Sequence, residues 1–427
     1  MTTAPSACGP GPRQPPMSRH AAYRTLAVTV ITLSLAYGTW YAYTVFLVAL
    51  LRDFGWSRSA LAGAFSVFTL VHGAMNPLLG WLCDRLGPRR LIAAGGVLLA
   101  LALWSDSLVN APWQLYLTFG CFTAVGVATA GWTPAVVLIQ RQFTERLGLA
   151  LGIAGAGIGL GIFLIVPLCQ VLIDAFGWRW AFRVLSGLCA VWILPGTWLA
   201  VRDAPAAALI EWGASPADRA TAPGQVAPTA SMSLASAIAT RPFWVMAGAT
   251  FLGNLCSQTL HLHQAAFFVD HHATPMVAAS VVSVVGASSI IGKTGGGWLS
   301  DLFPREAVYV LGMASMIASI GVLLASAVTP TPWLPYAYAV LFGAGYSVTA
   351  ALMPAMVSDR FQGRHFGSIF GVTQIGGAVG SALGAWLAGH LYDVTGSYVV
   401  AFTLAGAAAL VATTAVWSAR LPRRQNP

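Results

Sequence analysis

Apolar residues run through this chain in long unbroken stretches, and the polar residues gather in short clusters between them. A helix rising about 1.5 Å per residue needs roughly 20 apolar residues to cross a hydrocarbon layer of about 30 Å. On that template the pattern predicts twelve spans, at 25–51, 59–82, 91–109, 113–139, 147–173, 179–201, 243–268, 275–299, 307–328, 333–358, 366–391 and 397–419. The first run is too long for the core of a cleaved signal, so it reads as a retained span. Residues 1–24, rich in Pro and Gly, read as a disordered cytoplasmic tail, and 420–427 as a second short tail.

One long polar connection interrupts the series. Residues 202–241, rich in Ala, Pro and Ser, carry Asp203, Glu211, Asp218 and Arg219, and they read as a cytoplasmic linker between an N-terminal bundle (25–201) and a C-terminal bundle (242–419). The two bundles repeat each other. Gly80-Trp81-Leu82-Cys83-Asp84 returns as Gly297-Trp298-Leu299-Ser300-Asp301, and Gly148, Gly152, Gly157 and Gly161 return as Gly367, Gly371, Gly376 and Gly380. Four glycines at one offset indicate a duplicated six-helix unit. The expected fold class is all-α integral membrane, with twelve transmembrane helices in two pseudo-symmetric six-helix bundles.

Composition agrees with the pattern. Hydrophobic residues make up 57% of the 427 and charged residues only 8%, against about a quarter charged in soluble domains. The net charge of +9 does not point to nucleic acid, because the bases are scattered among apolar runs instead of forming one basic face. They sort by side of the membrane. Seventeen arginines fall on the side of the termini, and four, Arg52, Arg58, Arg179 and Arg183, on the other. The positive-inside rule then places both termini in the cytoplasm of a multi-pass protein of the cell (inner) membrane. The remaining base is Lys293, the only lysine, and it lies inside a span.

Enzyme chemistry finds no support. The six cysteines form no CxxC pair and suggest neither metal site nor disulfide framework. No paired carboxylates, metal-spaced ligands or nucleophile beside a base lie in the spans, so no catalytic residue, metal or cofactor is expected. Gly286 to Thr294 imitates a P-loop, but five residues separate Gly286 from Gly292 where four are required, and no strand precedes it.

Two six-helix halves joined by a linker resemble the major facilitator superfamily. Its loop signature, roughly G-x-x-x-D-R-x-G-R-R, is matched by Gly80, Asp84, Arg85, Gly87, Arg89 and Arg90; the second copy keeps Gly297, Asp301 and Arg305. The resemblance covers 25–420 and implies alternating access around a central site. Asp84, Arg85, Arg89, Asp301 and Arg305, with Gly80 and Gly87 shaping the turn, are expected to pair across the bundle interface and latch one conformation. The first span, Tyr37-Gly38-Thr39-Trp40-Tyr41, together with Phe54-Gly55-Trp56-Ser57-Arg58, Gly177-Trp178-Arg179 and the span-five glycines, is similar to bacterial members resembling monocarboxylate transporters and oxalate/formate exchangers.

Lys293 precedes Asp301 by eight residues, so it sits about 12 Å inside the helix end. A cation at that depth costs a few kcal/mol unless it meets water, a partner or a bound anion. In monocarboxylate transporters an Arg in span eight binds the carboxylate, and counting back from the Gly-x-x-x-Asp turn puts Lys293 on it, while Ser289 occupies the place of their partner acid. In span seven, spacings of three and four set Asn254, Ser257, Gln258, His261 and Gln264 on one face. His263 points elsewhere, yet it matches a His that bacterial relatives show seven residues before an Asp, here Asp270. Both His261 and His263 are candidates for the coupled proton, since histidine titrates near neutral pH. Tyr37, Tyr41, Trp132, Tyr346 and Gln374 are further cavity candidates.

The expected function is secondary active transport of a small organic monocarboxylate by alternating access, coupled to protons, by a chain acting as a monomer in the lipid bilayer. The other readings are an organic-anion exchanger, an efflux transporter for a larger amphipathic compound, or a membrane sensor that binds without transporting.

Overall fold

The computed structural model describes residues 19–142, 147–200, 233–329, 331–361 and 366–419. Twelve long helical elements occupy the twelve predicted positions: α1 (Arg19–Phe54), α2 (Arg58–Leu86), α3 (Pro88–Asp106), a segmented α4 between Pro112 and Gln142, α5 (Leu147–Phe176), α6 (Trp178–Ala200), α7 (Arg241–Asp270), α8 (Pro275–Leu302), α9 (Arg305–Val328), α10 (Leu334–Arg360), α11 (Phe366–Thr395) and α12 (Val399–Ser418). A short helix, Leu234–Ile238, lies in the stretch read as linker. Most of that linker and both tails lie outside the described residues. Residues 19–24, expected in the first tail, instead form the opening turns of α1. They contain no Pro or Gly, so nothing stops the helix where the apolar run stops.

Ten of the helices are long and apolar enough to cross a membrane on composition alone. The two that fall short, α7 and α11, are each 30 residues long. Length qualifies them, and their polar and small residues lower the hydropathy. Such residues survive at membrane depth where a helix faces protein or a water-filled cavity, and both helices line the contact between the two halves.

The duplication seen in the sequence is a duplication of packing. Within the N-terminal half α5 packs on α1, and within the C-terminal half α11 packs on α7. A Cβ at Gly161 would run into the Ser34 carbonyl oxygen, and one at Gly380 into that of Phe251. The glycines therefore let one backbone lie directly on another. The turns repeat as well. Gly177 and Gly396 have φ of 82° and 71°, and Gly55 and His272, at matching places, have φ of 65° and 67°. His272 takes a left-handed conformation that costs a residue with a side chain more than a glycine.

The halves meet along three helix pairs, α1 with α7, α2 with α11 and α5 with α8. The seam is tight at the end remote from the termini and through the middle. There a Cβ at Gly389 would strike the Arg58 backbone, Ser66 Oγ donates to Ala382 O at 2.7 Å, Ser283 Oγ donates to Phe163 O at 2.5 Å, and a Cβ at Gly286 would strike the Gly159 carbonyl. Toward the end that carries the termini, a Cβ at Gly80, Gly152, Gly295, Gly297 or Gly371 would meet no described atom within 4 Å. Among the described residues, close contacts between the halves are thus found at the far end and through the middle, and none is made by these glycines toward the terminal end.

Candidate functional site

Between the two halves, a row of aromatic rings passes from one to the other. On α1, Trp40 stacks between Tyr37 (5.5 Å between centroids) and Tyr41 (5.7 Å). Tyr41 then faces His261 of α7 at 4.9 Å, and His261 packs on Phe342 (4.6 Å) and edge-on against Tyr346 (4.5 Å) of α10. At the N-terminal end of the row, His72 of α2 stands against Trp40 at 4.6 Å. The row therefore draws on α1, α2, α7 and α10, helices of both halves.

Several polar atoms in this region are enclosed without a hydrogen-bond partner: Trp40 Nε1, Gln258 Oε1, His261 Nε2 and Tyr346 Oη. Tyr346 approaches Ser289 without a hydrogen bond of standard geometry. A buried polar atom left unpaired costs about 1–3 kcal/mol, so four of them around one place mark where water or a solute completes the site. Lys293 of α8 is half-buried, makes no hydrogen bond or ion pair among the described residues, and lies within Coulombic range of His261. The arrangement offers one cation, hydrogen-bond donors from tyrosine and indole, and flat apolar faces.

The predicted span-seven residues separate. His261 joins the central row, its Nδ1 held by Ser257 O at 2.9 Å. His263 does not: it is fully enclosed, with Nδ1 at 3.1 Å from the Tyr398 hydroxyl and Nε2 at 2.9 Å from Ala385 O. Gln258 is buried beside the row, whereas Gln264 is taken up by Tyr338, whose hydroxyl donates to it at 3.0 Å. Asn254 donates to Thr250 O at 2.8 Å and packs beside Gly377 of α11. Gln374 is exposed and makes no hydrogen bond among the described residues. Tyr37 and Tyr41 both belong to the row, and Trp132 touches Gly155.

The described arginines of the predicted latch are satisfied inside their own halves. Arg85 lies over the Trp81 ring at 4.1 Å, Arg89 donates to Trp198 O at 2.7 Å, and Arg305 pairs with Asp359 at 2.5 Å. Gly87, with φ of 83°, makes the tight turn between α2 and α3. The side chains of Asp84 and Asp301 lie outside the described residues.

A cross-half cluster stands instead at the far end. Arg58 of α2 pairs with Asp270 of α7 at 2.7 Å, donates to the Tyr398 hydroxyl at 2.6 Å and covers the Tyr392 ring at 3.9 Å. Asp393 of α11 accepts the backbone N–H groups of Arg58 and Ser59 at 3.0 and 2.8 Å. The carboxylate so caps the positive N-terminal end of α2 from the opposite half. Residue patterns singled out Arg58 and Asp270 separately, Arg58 by its side of the membrane and within a motif and Asp270 as the acid after His263, without bringing them together. They also passed over Trp40 and His72, although a histidine inside an apolar span was itself a signal.

A family model described as Major Facilitator Superfamily matches residues 29–269 and 261–427. Among curated proteins the chain is similar to monocarboxylate transporter 13 of Rattus norvegicus, 29% identical over 377 residues that cover 88% of this chain and 83% of the relative. It is 26% identical to monocarboxylate transporter 4 of Rattus norvegicus over 379 residues, 87% of this chain and 77% of that one. Among solved structures it resembles a bacterial homologue of the human lysosomal transporter Spinster in an inward-facing, occupied conformation. There the TM-score is 0.70 at 16% identity, covering 95% of this chain and 99% of that one.

Proposed function

Because the chain belongs to the Major Facilitator Superfamily, and is a multi-pass membrane transporter and not an enzyme, we propose that its cargo is a small organic monocarboxylate, moved by alternating access together with a proton. The observation that carries this reading is Lys293, a cation without a partner among the described residues, beside enclosed and unpaired polar atoms at the seam of the two halves. A carboxylate about 4 Å from an ammonium gains roughly 4 kcal/mol at the effective dielectric of a partly wet site. The tyrosine hydroxyl and the indole N–H supply donors for a second polar group of the solute, and the ring faces take its carbon skeleton.

In this reading the termini are cytoplasmic, the structure is open to the cytoplasm, and the Arg58 cluster holds the outer end shut. When the seam closes at the terminal end, Asp84, Arg85, Arg89, Asp301 and Arg305 form the latch, and the cluster at the other end parts. The similarity to monocarboxylate transporters supports the substrate class. Uptake of labelled lactate and pyruvate into liposomes containing the purified protein tests the reading. Wild type is expected to take them up and K293Q to fall to background, with K293R retaining part of the rate. Equal uptake by K293Q and wild type refutes it.

A further inference from the structure

Coupling a proton to the carboxylate requires a side chain that can gain and lose a charge near the site. Among the described residues of the seam helices, His390 of α11 is exposed, whereas three histidines are buried or half-buried, His72, His261 and His263. Their surroundings differ enough to choose between them.

His263 is already fully used. Both ring nitrogens are engaged, one of them by a tyrosine that also receives the Arg58 guanidinium. A second proton would convert its accepting nitrogen into a donor facing that cationic network. His261 donates Nδ1–H to a backbone carbonyl, and Lys293 acts on the same ring. An imidazolium there would be a like charge beside the ammonium intended for the substrate.

His72 has neither constraint. It is half-buried, and its ring nitrogens make no hydrogen bond among the described residues. Around it α1 contributes Trp40 at 4.6 Å and Tyr37 at 6.2 Å, the latter being, among the described residues, the one titratable side chain in ring contact with it, and α2 itself contributes Phe68 at 6.1 Å. On α4, Thr133 is occupied by Asn76 at 2.8 Å, and α11 presents Ala378 beside Gly73. Among the described residues no charged group of α1, α4 or α11 acts on the His72 ring.

From this geometry, and resting on the monocarboxylate reading above, we propose that His72 is the residue that carries the coupled proton, taken up as the substrate carboxylate enters. The proton comes from water at the open end, sits on one ring nitrogen, and leaves to water on the other side; no bond of the substrate changes. An imidazolium with no counter-ion is costly in a half-buried position, and the arriving carboxylate supplies that counter-ion. Indole and phenyl faces next to the ring favour its charged form by cation–π attraction. The charge arithmetic also fits. With Lys293 protonated throughout, the empty site and the site holding carboxylate and proton carry the same charge, so both forms face the same barrier to crossing a low-dielectric seam.

Full-length protein in liposomes, with labelled lactate as probe, tests this by two readouts: accumulation driven by an alkaline interior, and counterflow at equal pH on both sides. H72Q and H72N are compared with wild type and with H390Q, an exposed histidine of α11. The expected result is at least a fivefold loss of accumulation for both His72 variants, with counterflow within about threefold of wild type and H390Q unchanged in both. Accumulation retained by H72Q overturns the proposal. Loss of counterflow along with accumulation in both variants also overturns it, because His72 would then bind substrate or support the fold. If wild type moves no lactate or pyruvate in either assay, the monocarboxylate reading itself fails; counterflow without proton-driven accumulation in wild type removes the coupling alone.

Discussion

Arg58 and Asp270, which belong to opposite halves of the molecule, form an ion pair of 2.7 Å whose side chains are only 12% and 25% exposed. The pair does not stand alone, since the same guanidinium binds the Tyr398 hydroxyl and stacks on Tyr392. It is therefore a multi-point bolt across the seam. Such a bolt is useful only if it is not too strong, and partial exposure keeps its strength moderate.

Removing the charge should release the far end. R58Q leaves Asp270 without its cation and Tyr398 without its donor, a cost to the closed state on the order of 1–3 kcal/mol. That is enough to shift the balance of conformations by roughly fivefold to a hundredfold. Spin labels at Leu108 and Trp333, exposed positions in opposite halves, read the change. R58Q is expected to populate a longer distance that wild type lacks, and an unchanged distribution rejects the bolt.

Asp393 makes a milder test of the same seam. D393N keeps one acceptor oxygen where Asp393 offers a separate one to each N–H group of Arg58 and Ser59, so it removes one hydrogen bond, worth about 0.5–1.5 kcal/mol, and the attraction of a carboxylate for a helix N-terminus, worth about 0.3–1 kcal/mol. Its distance distribution should therefore lie between those of wild type and R58Q. A shift larger than that of R58Q would show that Asp393, and not Arg58, is the principal contact.

The unpaired polar atoms of the central row can be removed while their rings stay. Y346F deletes an enclosed hydroxyl that approaches Ser289 without a hydrogen bond of standard geometry. If that hydroxyl meets only solute, the apo protein should be no less stable, because an unsatisfied polar atom has been removed, while KM for the carboxylate rises about threefold to tenfold for one lost hydrogen bond. Thermal unfolding without substrate and uptake kinetics together decide it; a large loss of apo stability would mean that the hydroxyl has a structural partner.

The glycine repeat predicts a contrast along the matched helices α5 and α11. G161A forces a methyl group into the Ser34 carbonyl, and G380A does the same against Phe251, whereas G152A meets no described atom within 4 Å. The first two should destabilise by about 1–3 kcal/mol in detergent, as overpacking does. G152A should leave the unfolding temperature near that of wild type. Equal effects at all three positions would contradict the observed packing.

The twelve spans, their division into six and six, and the internal repeat were all readable along the chain. Each follows from one-dimensional quantities: the length of apolar runs that a bilayer demands, and residue types recurring at a fixed offset. The repeat even foretold the matched backbone contacts of Gly161 and Gly380, since closely spaced glycines on a membrane helix signal close approach wherever the partner lies. Lys293 was conspicuous for the same reason, a cation whose depth could be counted along its own helix.

What the chain could not disclose is which faces of different helices look at one another. Helical periodicity separated His261 from His263, but only the tertiary structure gave His261 to the aromatic row and His263 to Tyr398 and Ala385. Trp40 and His72 gain their meaning from α1 and α2 lying side by side, and Arg58 from meeting Asp270 and Asp393 more than 200 positions away. The expected latch pattern was legible as a motif, yet its described arginines are held within their own halves, because a motif of residue types does not specify which partners its side chains meet. Local sequence dictates helices, depth and small-residue contacts through the solvent each segment meets. The site and the bolt arise from the packing of segments distant in sequence, and that is decided only when the two halves come together.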